Sequence, residues 1–385
     1  MTAVGRVLKT ISELPAEVWD GLANPPGQVF NPFVAHAFLK ALEDSRSATA
    51  RTGWQPAHIV LELDGAAIGV APAYVKSHSQ GEYVFDHGWA DAFERAGGRY
   101  YPKLQMTVPF TPATGPRLLA PDDATRRMLL EAAGEIARSN NLSSVHITFQ
   151  TEAEWALAGS AGWLQRMDKQ FHWVNDGYGS FDDFLARLSS DKRKNLRKER
   201  KRALENGIEI EWVTGKDLAE HHWDAFFQFY IDTGNRKWGS PYLTRKFFSL
   251  INETFAEHTL LVMAKREGRT IAGALNFIGG DTLFGRNWGA VEHHPFLHFE
   301  CCYYQAIDFA IARGLKKVEA GAQGEHKLLR GYEPVATYSS HYITHAGLRR
   351  AVGDYLDRER AAIGRDIEAL SEATPFRKNL PRGTE

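Results

Sequence analysis

An internal repeat limits the folds open to a chain more than any other feature of its sequence. Here a plan of one amphipathic helix followed by three strands occurs twice, about 200 residues apart. Each copy starts with a small polar residue, a proline and an aromatic residue ahead of an apolar helical pattern, which is typical of a helix start. The two helices are predicted at NPFVAHAFLKAL (31–42) and SPYLTRKFFSLI (240–251).

Two strands joined by a tight turn follow each of these helices. The turns carry Asp64-Gly65 in the first copy and Glu267-Gly268 in the second, and such pairs favour two-residue hairpins. A third apolar strand, ending near a tryptophan, is predicted after each hairpin. The hairpins are predicted at 58–75 and 260–278, and the third strands at 82–90 and 282–290.

Each copy then continues with a helix and further strands. The helices are predicted at 122–142 and 296–314, the strands at 143–149, 316–321 and 337–344, and a long amphipathic helix at 346–370. The alternation of helices and strands predicts two α/β domains of one family. The predicted division is an N-terminal domain (1–175), a basic connecting helix (176–214), a C-terminal domain proposed to be catalytic (215–345), and a C-terminal helix with a tail (346–385).

Composition and charge exclude several classes of protein. The chain has 385 residues, 43% of them hydrophobic, and a formal net charge of -1, so no overall field draws it to nucleic acid or a membrane. The two cysteines, Cys301 and Cys302, are adjacent and suit neither a disulfide framework nor a metal site. The sequence shows no signal-peptide pattern and no apolar run of about 18 residues. We therefore expect a soluble protein of the cytoplasm.

A basic segment lies in the middle of the chain, at 189–207. Eight lysines or arginines occur among the eleven residues 192–202, and they surround the helix instead of following one face. Such a run is commonly a solvated connecting helix. It also suits a phosphate site for a tRNA backbone, the phosphates of coenzyme A, a nucleotide-linked precursor or anionic lipid headgroups. Both interpretations remain open, and Arg193, Lys194 and Arg197 are the candidate phosphate ligands.

The stretch EAGAQGEHKLLRGYEP (319–334) holds the densest group of polar side chains near an apolar helix. It predicts a strand end, a glycine turn and a helix start, which is where α/β folds place their sites. A helix beginning near Glu325 would place Lys327 and Arg330 on one face. Glycines at 321 and 324 would let a substrate approach the backbone. The alternative is a solvated loop with a glycine helix cap.

A second polar cluster, GAVEHHPFLHFE (289–300), precedes the helix at 296–314. His294 and His298 are four residues apart, as in some metal sites, but no third ligand has a suitable spacing, and no metal is expected. His298 and Glu300 are either acid and base candidates or a core pair that satisfies itself. Trp173 and Trp238 either line an acyl channel or pack in the core.

The segments at 294–314 and 319–335, together with the basic helix and the aromatic helix at 221–239, resemble the FemAB-like branch of the GNAT acyltransferase superfamily. More narrowly, they resemble the proteobacterial group named peptidoglycan biosynthesis/recognition proteins. The resemblance extends from about Phe30 to Lys378. It implies two tandem GNAT-like domains with mixed, mostly antiparallel sheets.

The resemblance also implies a reaction, the transfer of an acyl or aminoacyl group to an amine. Donors in this superfamily include acyl-CoA, other acyl thioesters and aminoacyl-tRNA, and no permanently bound cofactor is implied. A lysine after the late strand steadies the charge that develops on the reacting carbonyl, and Lys327 stands at that position. The phosphate-binding motif of acetyl-CoA enzymes has only the partial match Arg286-Asn-Trp-Gly289-Ala-Val291, which favours a larger donor.

Three functions follow as hypotheses. The first is an N-acyltransferase that uses an acyl thioester and an amine, such as a sphingoid-type lipid amine, either in the cytoplasm or peripherally at the inner membrane. The second is an aminoacyl-tRNA-dependent transferase that acts on a peptidoglycan precursor. The third is a non-catalytic module that binds peptidoglycan or nucleic acid.

The predicted site residues fall into three groups by role. The catalytic candidates are Lys327, His326, Glu300 and His298. The donor or phosphate ligands are Arg193, Lys194, Arg197, Arg330 and Arg286. The substrate-lining residues are Trp238, Trp288, Gly324 and Glu325.

Overall fold

The computed structural model describes residues 3–237, 241–321 and 324–377. It divides into two compact units, each built from two separate stretches of the chain. The N-terminal unit consists of Met1–Lys169 and Ala336–Arg365, and the C-terminal unit of Gln170–Val335 and Asp366–Glu385. The two units are defined by the compactness of each part of the chain. This division does not test the domain boundaries expected from the sequence, which stay a prediction.

The N-terminal unit combines helices with two sheets. Its helices are α1 (Ala16–Ala23), α2 (His36–Asp44), α3 (His87–Arg95), α4 (Asp123–Ser139), α5 (Glu152–Ser160) and most of α12 (Ala346–Glu372). Its strands are β1 (Val4–Leu8), β2 (Trp54–Pro56), β3 (His58–Leu63), β4 (Ala66–Ala71), β5 (Ala73–Lys76), β6 (Lys103–Met106), β7 (Ser144–Gln150), the first part of β8 (Leu164–Val174) and most of β14 (Glu333–Ile343).

The sheets of this unit are mostly antiparallel. One has the order β1-β3-β4, and the other runs β2-β5-β6-β7-β14. The exception is the pair β6 and β7, which is parallel because the long helix α4 connects the two strands. The apolar face of α4 buries Leu129, Leu130 and Ala133 against Val145 and Ile147 of β7. This packing forms the core of the unit.

The C-terminal unit holds the aromatic helices and the second half of the repeat. Its helices are α6 (Phe181–Arg187), α7 (Ser190–Ala203), α8 (Glu220–Lys237), α9 (Arg245–Thr254), α10 (Leu297–Phe299) and α11 (Gln305–Ala312), with a π-helical turn at Glu300–Tyr304 and a 3-10 helix at Glu325–Arg330. Its strands are β9 (Ile208–Thr214), β10 (Thr259–Arg266), β11 (Arg269–Ile278), β12 (Thr282–Ala290), β13 (Lys317–Glu319) and the end of β8.

The sheet of the C-terminal unit repeats the pairing of the first. Its order is β9-β10-β11-β12-β13-β8, and β12 and β13 form a parallel pair connected by the helical segment α10–α11. Strand β8 pairs antiparallel with β13, as β14 does with β7 in the N-terminal unit. The N-terminal unit is therefore completed by a strand from the distant half of the sequence, whereas the end of β8 opens the C-terminal unit's own stretch of chain. The predicted α/β fold with mixed, mostly antiparallel sheets is confirmed.

The turn chemistry of the sequence predicted both hairpins correctly. Asp64 and Gly65 have φ of 52° and 81°, and Glu267 and Gly268 have φ of 52° and 75°, which is the left-handed pair that a tight hairpin turn requires. The third strand of the second copy was predicted at 282–290, and β12 occupies these residues. The basic helix and the long C-terminal helix are also present as α7 and α12.

The third strand of the first copy was predicted at 82–90, and this prediction was wrong. Residues from His87 to Arg95 form helix α3, which buries Trp89 and Ala90 on one face. Helical spacing of Trp89, Ala90 and Phe93 overrides the strand propensity of the aromatic residues before them. The strand that occupies the equivalent place is β6, which lies beyond α3 and was not predicted.

Candidate active site

The candidate site lies where two parallel strands of the C-terminal unit part. Strands β12 and β13 are paired from Thr282↔Lys317 to Phe284↔Glu319, but β12 continues to Ala290 while β13 ends. The pairing of β11 with β12 shifts register at the same level, from Leu275↔Asn287 to Asn276↔Gly285, so Arg286 is an extra residue in a bulge. The bulge and the early end of β13 open a cleft in the sheet.

A narrow cavity of about 90 Å³ occupies this cleft. The strands contribute residues 274–276 of β11, residues 285–288 of β12 and Ala320 directly after β13. The helical segment contributes His298, Cys302 and Tyr303. The cavity is thus enclosed mainly by regular secondary structure, which holds its walls in place.

The matching position in the N-terminal unit is bridged by hydrogen bonds. Strands β6 and β7 pair in parallel up to Met106↔Ile147. Just beyond this pair, Thr148 accepts a hydrogen bond from Gln105 and donates to Thr107, while the buried guanidinium of Arg117 donates to the Thr148 carbonyl. At the parallel pair of the C-terminal unit, the narrow cavity lies where β12 and β13 part.

Lys327 is buried beside this cleft. It lies in the 3-10 helix Glu325–Arg330, and its Nζ donates a hydrogen bond of 2.9 Å to the carbonyl of Gly321. Burial lowers the pKa of Lys327 to about 8, and the neighbouring Cys302 opposes this effect. Cys302 lines the narrow cavity, so the lysine charge lies within electrostatic reach of a group bound there.

His326 contacts the same cavity through Tyr303. Its Nε2 lies 2.9 Å from the phenol oxygen of Tyr303, and its ring lies 5.6 Å from that of Phe299. Partial burial and the cations of Arg330 and Lys327 lower the pKa of His326. The imidazole is therefore unprotonated at neutral pH and able to accept a proton.

Gly324 explains the path of the chain into this turn. Its φ of 114° is unfavourable for any residue with a side chain, and an added Cβ would lie 2.5 Å from the His326 ring. The glycine thereby sets the position of His326. Glu325 is exposed and begins the 3-10 helix.

A π-helical turn at Glu300–Tyr304 aims both tyrosines and Glu300 inward. Glu300 is fully buried, and both of its oxygens accept hydrogen bonds from Arg200, at 2.7 and 3.1 Å. Gln305 donates a further hydrogen bond of 2.7 Å. Arg200 also bonds to Asp308 at 2.6 Å. These hydrogen bonds occupy both carboxylate oxygens of Glu300, and Glu300 lines neither cavity. Its geometry is therefore that of a structural carboxylate.

Arg330 is held in a similar way. Its guanidinium donates to both oxygens of Glu199, at 2.9 and 3.0 Å, and to the carbonyl of His326 at 2.8 Å. It stacks on the Phe299 ring at 3.5 Å. Glu199 also accepts a hydrogen bond from Tyr304. Arg330 is only 5% exposed, so it fastens helix α7 to the Lys327 turn and is poorly placed for a donor phosphate.

A larger cavity of about 520 Å³ adjoins the narrow one. The two share Trp288 and His298, whose rings are 5.3 Å apart in an edge arrangement. The remaining walls of the larger cavity are Thr233, residues 290–294, and residues 296–299. The carboxylate of Glu292 accepts from His294 at 2.9 Å and lies 3.2 Å from Arg266. The surface is therefore aromatic, with histidines and a neutralised carboxylate.

The predicted phosphate ligands of the basic helix are accessible. In helix α7, Leu196 and Ala203 are buried, whereas Lys194 and Arg197 are exposed and Arg193 is partly exposed. Arg197 forms an exposed ion pair with Asp182 at 2.8 Å. Arg286 instead lines the narrow cavity from its bulge in β12.

Trp173 and Trp238 were the two tryptophans proposed to line an acyl channel. Trp173 is fully buried in the core cluster of the unit. Trp238 lies outside the described residues. Trp288, by contrast, lines both cavities, and its role in lining a substrate stays a prediction.

Several residues of the site were not singled out from the sequence. Tyr303, Cys302 and Glu199 approach the Lys327 turn from helices that are distant in the sequence. The π turn that directs Tyr303 has no clear sequence signal. Glu199 is the one of these residues that the sequence could have indicated. It is an acidic residue inside a basic run, and a charge of opposite sign there suggests a partner within the protein.

The family model described as peptidoglycan biosynthesis/recognition, named FemAB-like, matches residues 10–378. The chain belongs to the FemAB-like family. No curated protein matches the sequence significantly. This family membership confirms the resemblance seen in the sequence.

Solved structures of low sequence identity share the fold. FemX has 13% identity and a TM-score of 0.55, with 92% of this chain and 100% of that chain covered. L-PGS from Bacillus licheniformis has 10% identity and a TM-score of 0.51, covering 86% and 98%. The C-terminal domain of a putative lysylphosphatidylglycerol synthetase from Agrobacterium fabrum has 11% identity and a TM-score of 0.51, covering 82% and 96%. The predicted tandem GNAT-like fold is confirmed.

Family membership and fold together make the FemAB-like chain an acyl or aminoacyl transferase. Within residues 3–237, 241–321 and 324–377, no group of three or more His, Cys, Asp or Glu side chains is arranged to hold a metal ion. Across the same described ranges, no helix is both long enough and apolar enough to cross a bilayer.

Proposed function

We propose that the C-terminal unit transfers an acyl or aminoacyl group from an activated ester or thioester to the amine of a cell-wall precursor. The observation that supports this is the buried Lys327 beside the cleft between β12 and β13. Its ammonium interacts electrostatically with Cys302, which lines the narrow cavity, whereas hydrogen bonds connect the ends of the equivalent strands in the N-terminal unit. A cation in a poorly hydrated site interacts strongly with the negative charge of a tetrahedral intermediate.

The donor carbonyl is assigned to the narrow cavity and the amine to the larger one. His298 lines both cavities, so the two substrates would meet beside it. The amine nitrogen attacks the carbonyl carbon, and the negative charge that forms on oxygen faces Lys327. Collapse of the intermediate breaks the carbon–sulfur or carbon–oxygen bond to the leaving group and forms the amide.

The proton lost by the amine goes to a histidine, which returns it to the leaving group. His326 is the favoured base because its lowered pKa leaves it unprotonated at neutral pH. The phenol of Tyr303, which lines the narrow cavity, takes up the amine's proton and passes its own proton to His326. His298 is the alternative, since it lines both cavities. We assign Glu300 and Arg330 to the structural support of the site, because each is buried in an ion pair.

The exposed cations of helix α7 are proposed to hold the phosphates of the donor. A polyanionic carrier such as tRNA would engage Arg193, Lys194 and Arg197 together, whereas coenzyme A would need fewer contacts. Contact with anionic lipid headgroups would use the same side chains. The donor is therefore either an acyl-CoA or an aminoacyl-tRNA, and experiment decides between the two.

The test is a transfer assay on the intact protein with amine-bearing cell-wall precursors, read by mass spectrometry. Ribonuclease treatment should abolish transfer from an aminoacyl-tRNA pool and leave transfer from acyl thioesters unchanged. Lys327→Ala should lower kcat about a hundred- to a thousandfold with little change in KM. Lys327→Arg should restore little, because a planar guanidinium places its charge elsewhere.

Lys216→Ala serves as the matched control, because Lys216 is exposed in the same unit. Near-wild-type turnover by Lys327→Ala would refute the assignment of the oxyanion site. Absence of transfer with every donor and acceptor, while labelled donors still bind, would instead favour a non-catalytic recognition module.

A further inference from the structure

We propose that Glu199 is a positioning residue for the reaction, through which phosphates bound on helix α7 hold the Lys327 turn in place. The Lys327 turn is the 3-10 helix Glu325–Arg330. The inference rests on the proposed function, because it takes the exposed cations of α7 as ligands of the donor's phosphates. It goes further by giving those phosphates an effect on turnover as well as on affinity.

Helix α7 has one face that is turned into the protein. Leu196 and Ala203 are buried and lie seven residues apart, and Glu199 and Arg200 fall between them at helical spacing. The side chains of Glu199 and Arg200 are only 19% and 21% exposed. These two charged residues of the basic run therefore face the rest of the unit.

Glu199 joins α7 directly to the Lys327 turn. Its two carboxylate oxygens accept hydrogen bonds of 2.9 and 3.0 Å from Arg330, and one of them also accepts from the phenol of Tyr304. Arg330 in turn donates to the carbonyl of His326, the residue before Lys327. An unbroken chain of hydrogen bonds thus connects α7 to the backbone that carries Lys327.

Arg200 fastens the same face of α7 to the helical segment that follows the π turn. It donates to Glu300 at 2.7 Å and to Asp308 at 2.6 Å, and its guanidinium lies 4.3 Å from the centre of the Phe181 ring. Two adjacent side chains of opposite charge therefore hold α7 against two walls of the candidate site. A change in the stability of α7 acts on both walls.

The outward face of α7 makes the helix sensitive to phosphate. Exposed cations follow one another there at spacings of three and four residues, at Lys194, Arg197, Lys198, Lys201 and Arg202. Like charges at these spacings destabilise a helix. Bound phosphates remove this repulsion and stabilise α7, and the contacts of Glu199 pass the gain in order to the Lys327 turn.

Binding energy from a part of the substrate that does not react can be used to orient the groups that do. Phosphates on α7 use their binding energy in this way, because they hold the ammonium of Lys327 where charge develops on the carbonyl. A donor without phosphates should therefore react slowly even at saturating concentration.

The first measurement is hydrogen exchange on the intact protein, with sodium tripolyphosphate as the probe. The amides of Lys327, Gly331 and Tyr332 report on the turn, since each donates a backbone hydrogen bond to it or to the residue before it. Tripolyphosphate should slow exchange both in α7 and at these amides, at least fivefold, as is typical of coupled sites. Protection of α7 without protection of the turn would overturn the proposal, and so would unchanged exchange in α7.

Glu199→Gln tests the connection itself, because it removes the charge and keeps the shape of the side chain. Tripolyphosphate should still protect α7 in this variant but should no longer protect the turn, and Glu199→Asp should restore part of the effect. Glu205→Gln is the matched control, since Glu205 is exposed just beyond the end of α7. Equal protection of the turn in Glu199→Gln and in the control would refute the role of Glu199.

Turnover separates positioning from simple structural support. The donor is an acyl or aminoacyl ester of a small thiol or alcohol that carries no phosphate. Free tripolyphosphate should raise the kcat of wild type about tenfold with this donor, and should leave that of Glu199→Gln unchanged while KM stays near the wild-type value. Equal stimulation of both proteins would contradict the proposal.

The two measurements also separate this proposal from the proposed function. If exchange shows the coupling but no donor is used, the proposed transfer fails and the coupling stands. If donors with and without phosphates give the same kcat in wild type, the coupling fails and the proposed transfer stands.

Discussion

The phenol of Tyr303 and the imidazole of His326 are in hydrogen-bonding contact at 2.9 Å, although 23 residues separate them in the sequence. Burial raises the pKa of Tyr303, so the phenol keeps its proton and suits the role of donor. Burial and two neighbouring cations lower the pKa of His326, which suits the role of acceptor. The contact joins the wall of the narrow cavity to the favoured base.

Tyr303→Phe should remove this hydrogen bond and keep the ring packing. Because the bond stabilises the unprotonated imidazole, its loss should raise the pKa of His326 and move the acidic limb of the pH-rate profile to higher pH. One hydrogen bond of this type corresponds to about a tenfold loss of kcat at pH 7, and the loss should be at least that large because the phenol also carries the proton to His326. The profile is measured by acyl transfer from pH 5 to 9.

Tyr355→Phe is the control for this variant, since Tyr355 is exposed in the N-terminal unit. An acidic limb at the wild-type position in Tyr303→Phe would show that His326 is not the titrating base. His298→Asn would then be the variant to measure.

Lys327 should make stability depend on pH in the alkaline range. Burial lowers the pKa of Lys327 from 10.5 to about 8. Between these two values the folded protein loses a proton that the unfolded chain retains, so the free energy of unfolding rises with pH across this window. The full contribution is about 3 kcal/mol.

Urea unfolding at pH 7 and pH 10 measures this effect by comparing wild type with Lys327→Met. The difference in free energy of unfolding between the two proteins should shift by about 2 kcal/mol in favour of wild type at pH 10. Other titrating groups are common to both proteins and cancel. A difference that is independent of pH would mean that Lys327 titrates near the ordinary value.

Glu300→Gln tests the assignment of Glu300 to structure. The substitution leaves Arg200 partly buried with one charge partner fewer, which should cost about 3–5 kcal/mol in stability. Replacing all three charged members, as Arg200→Met with Glu300→Leu and Asp308→Asn, should cost less than the single change because no unpaired charge of this group remains. Thermal unfolding of the three proteins checks this order.

Kinetics complete the test of Glu300. The triple variant should retain a pH-rate profile of wild-type shape, even if turnover falls because the π turn shifts. Loss of one titrating limb in the triple variant would instead restore Glu300 as an acid or base.

The exposed face of α7 should contribute to donor binding through charge. Arg193→Glu, Lys194→Glu and Arg197→Glu combined should weaken binding of a polyanionic donor at least tenfold at low salt and flatten its dependence on salt concentration. Reversal of Arg350, Arg358 and Arg365, three exposed arginines of α12, serves as the control for net charge. Equal affinity of the α7 variant and the control would make α7 a solvated helix without a donor role.

The sequence predicted local features of the fold well, because short-range chemistry determines them. The hairpin turns at Asp64-Gly65 and Glu267-Gly268 require a left-handed backbone, and the residue types of these pairs indicate that conformation. The strand predicted at 82–90 was wrong because strand propensity and helical spacing conflict there, and the burial of Trp89 decides for the helix. Propensity is a weak guide where tertiary packing decides.

The site was predictable in one respect and hidden in another. The cluster of Lys327 and His326 was visible because both lie in one short stretch after a strand. Their partners Tyr303 and Cys302 lie in a separate helical segment, and no spacing rule connects them to the lysine. Arg330 was predicted as a phosphate ligand, and its burial against Glu199 depends on packing that the sequence alone does not reveal.

The late strand of the N-terminal unit has a consequence for how the chain folds during synthesis. Strand β7 in the N-terminal unit pairs with β14, whose residues from Ala336 onward are made almost 200 residues later. At about 5–20 residues per second, a ribosome needs roughly ten to forty seconds to supply that partner. During this interval the edge of β7 is a template for pairing with other nascent chains. We therefore expect the early half of the chain to require a chaperone until its last strand has emerged.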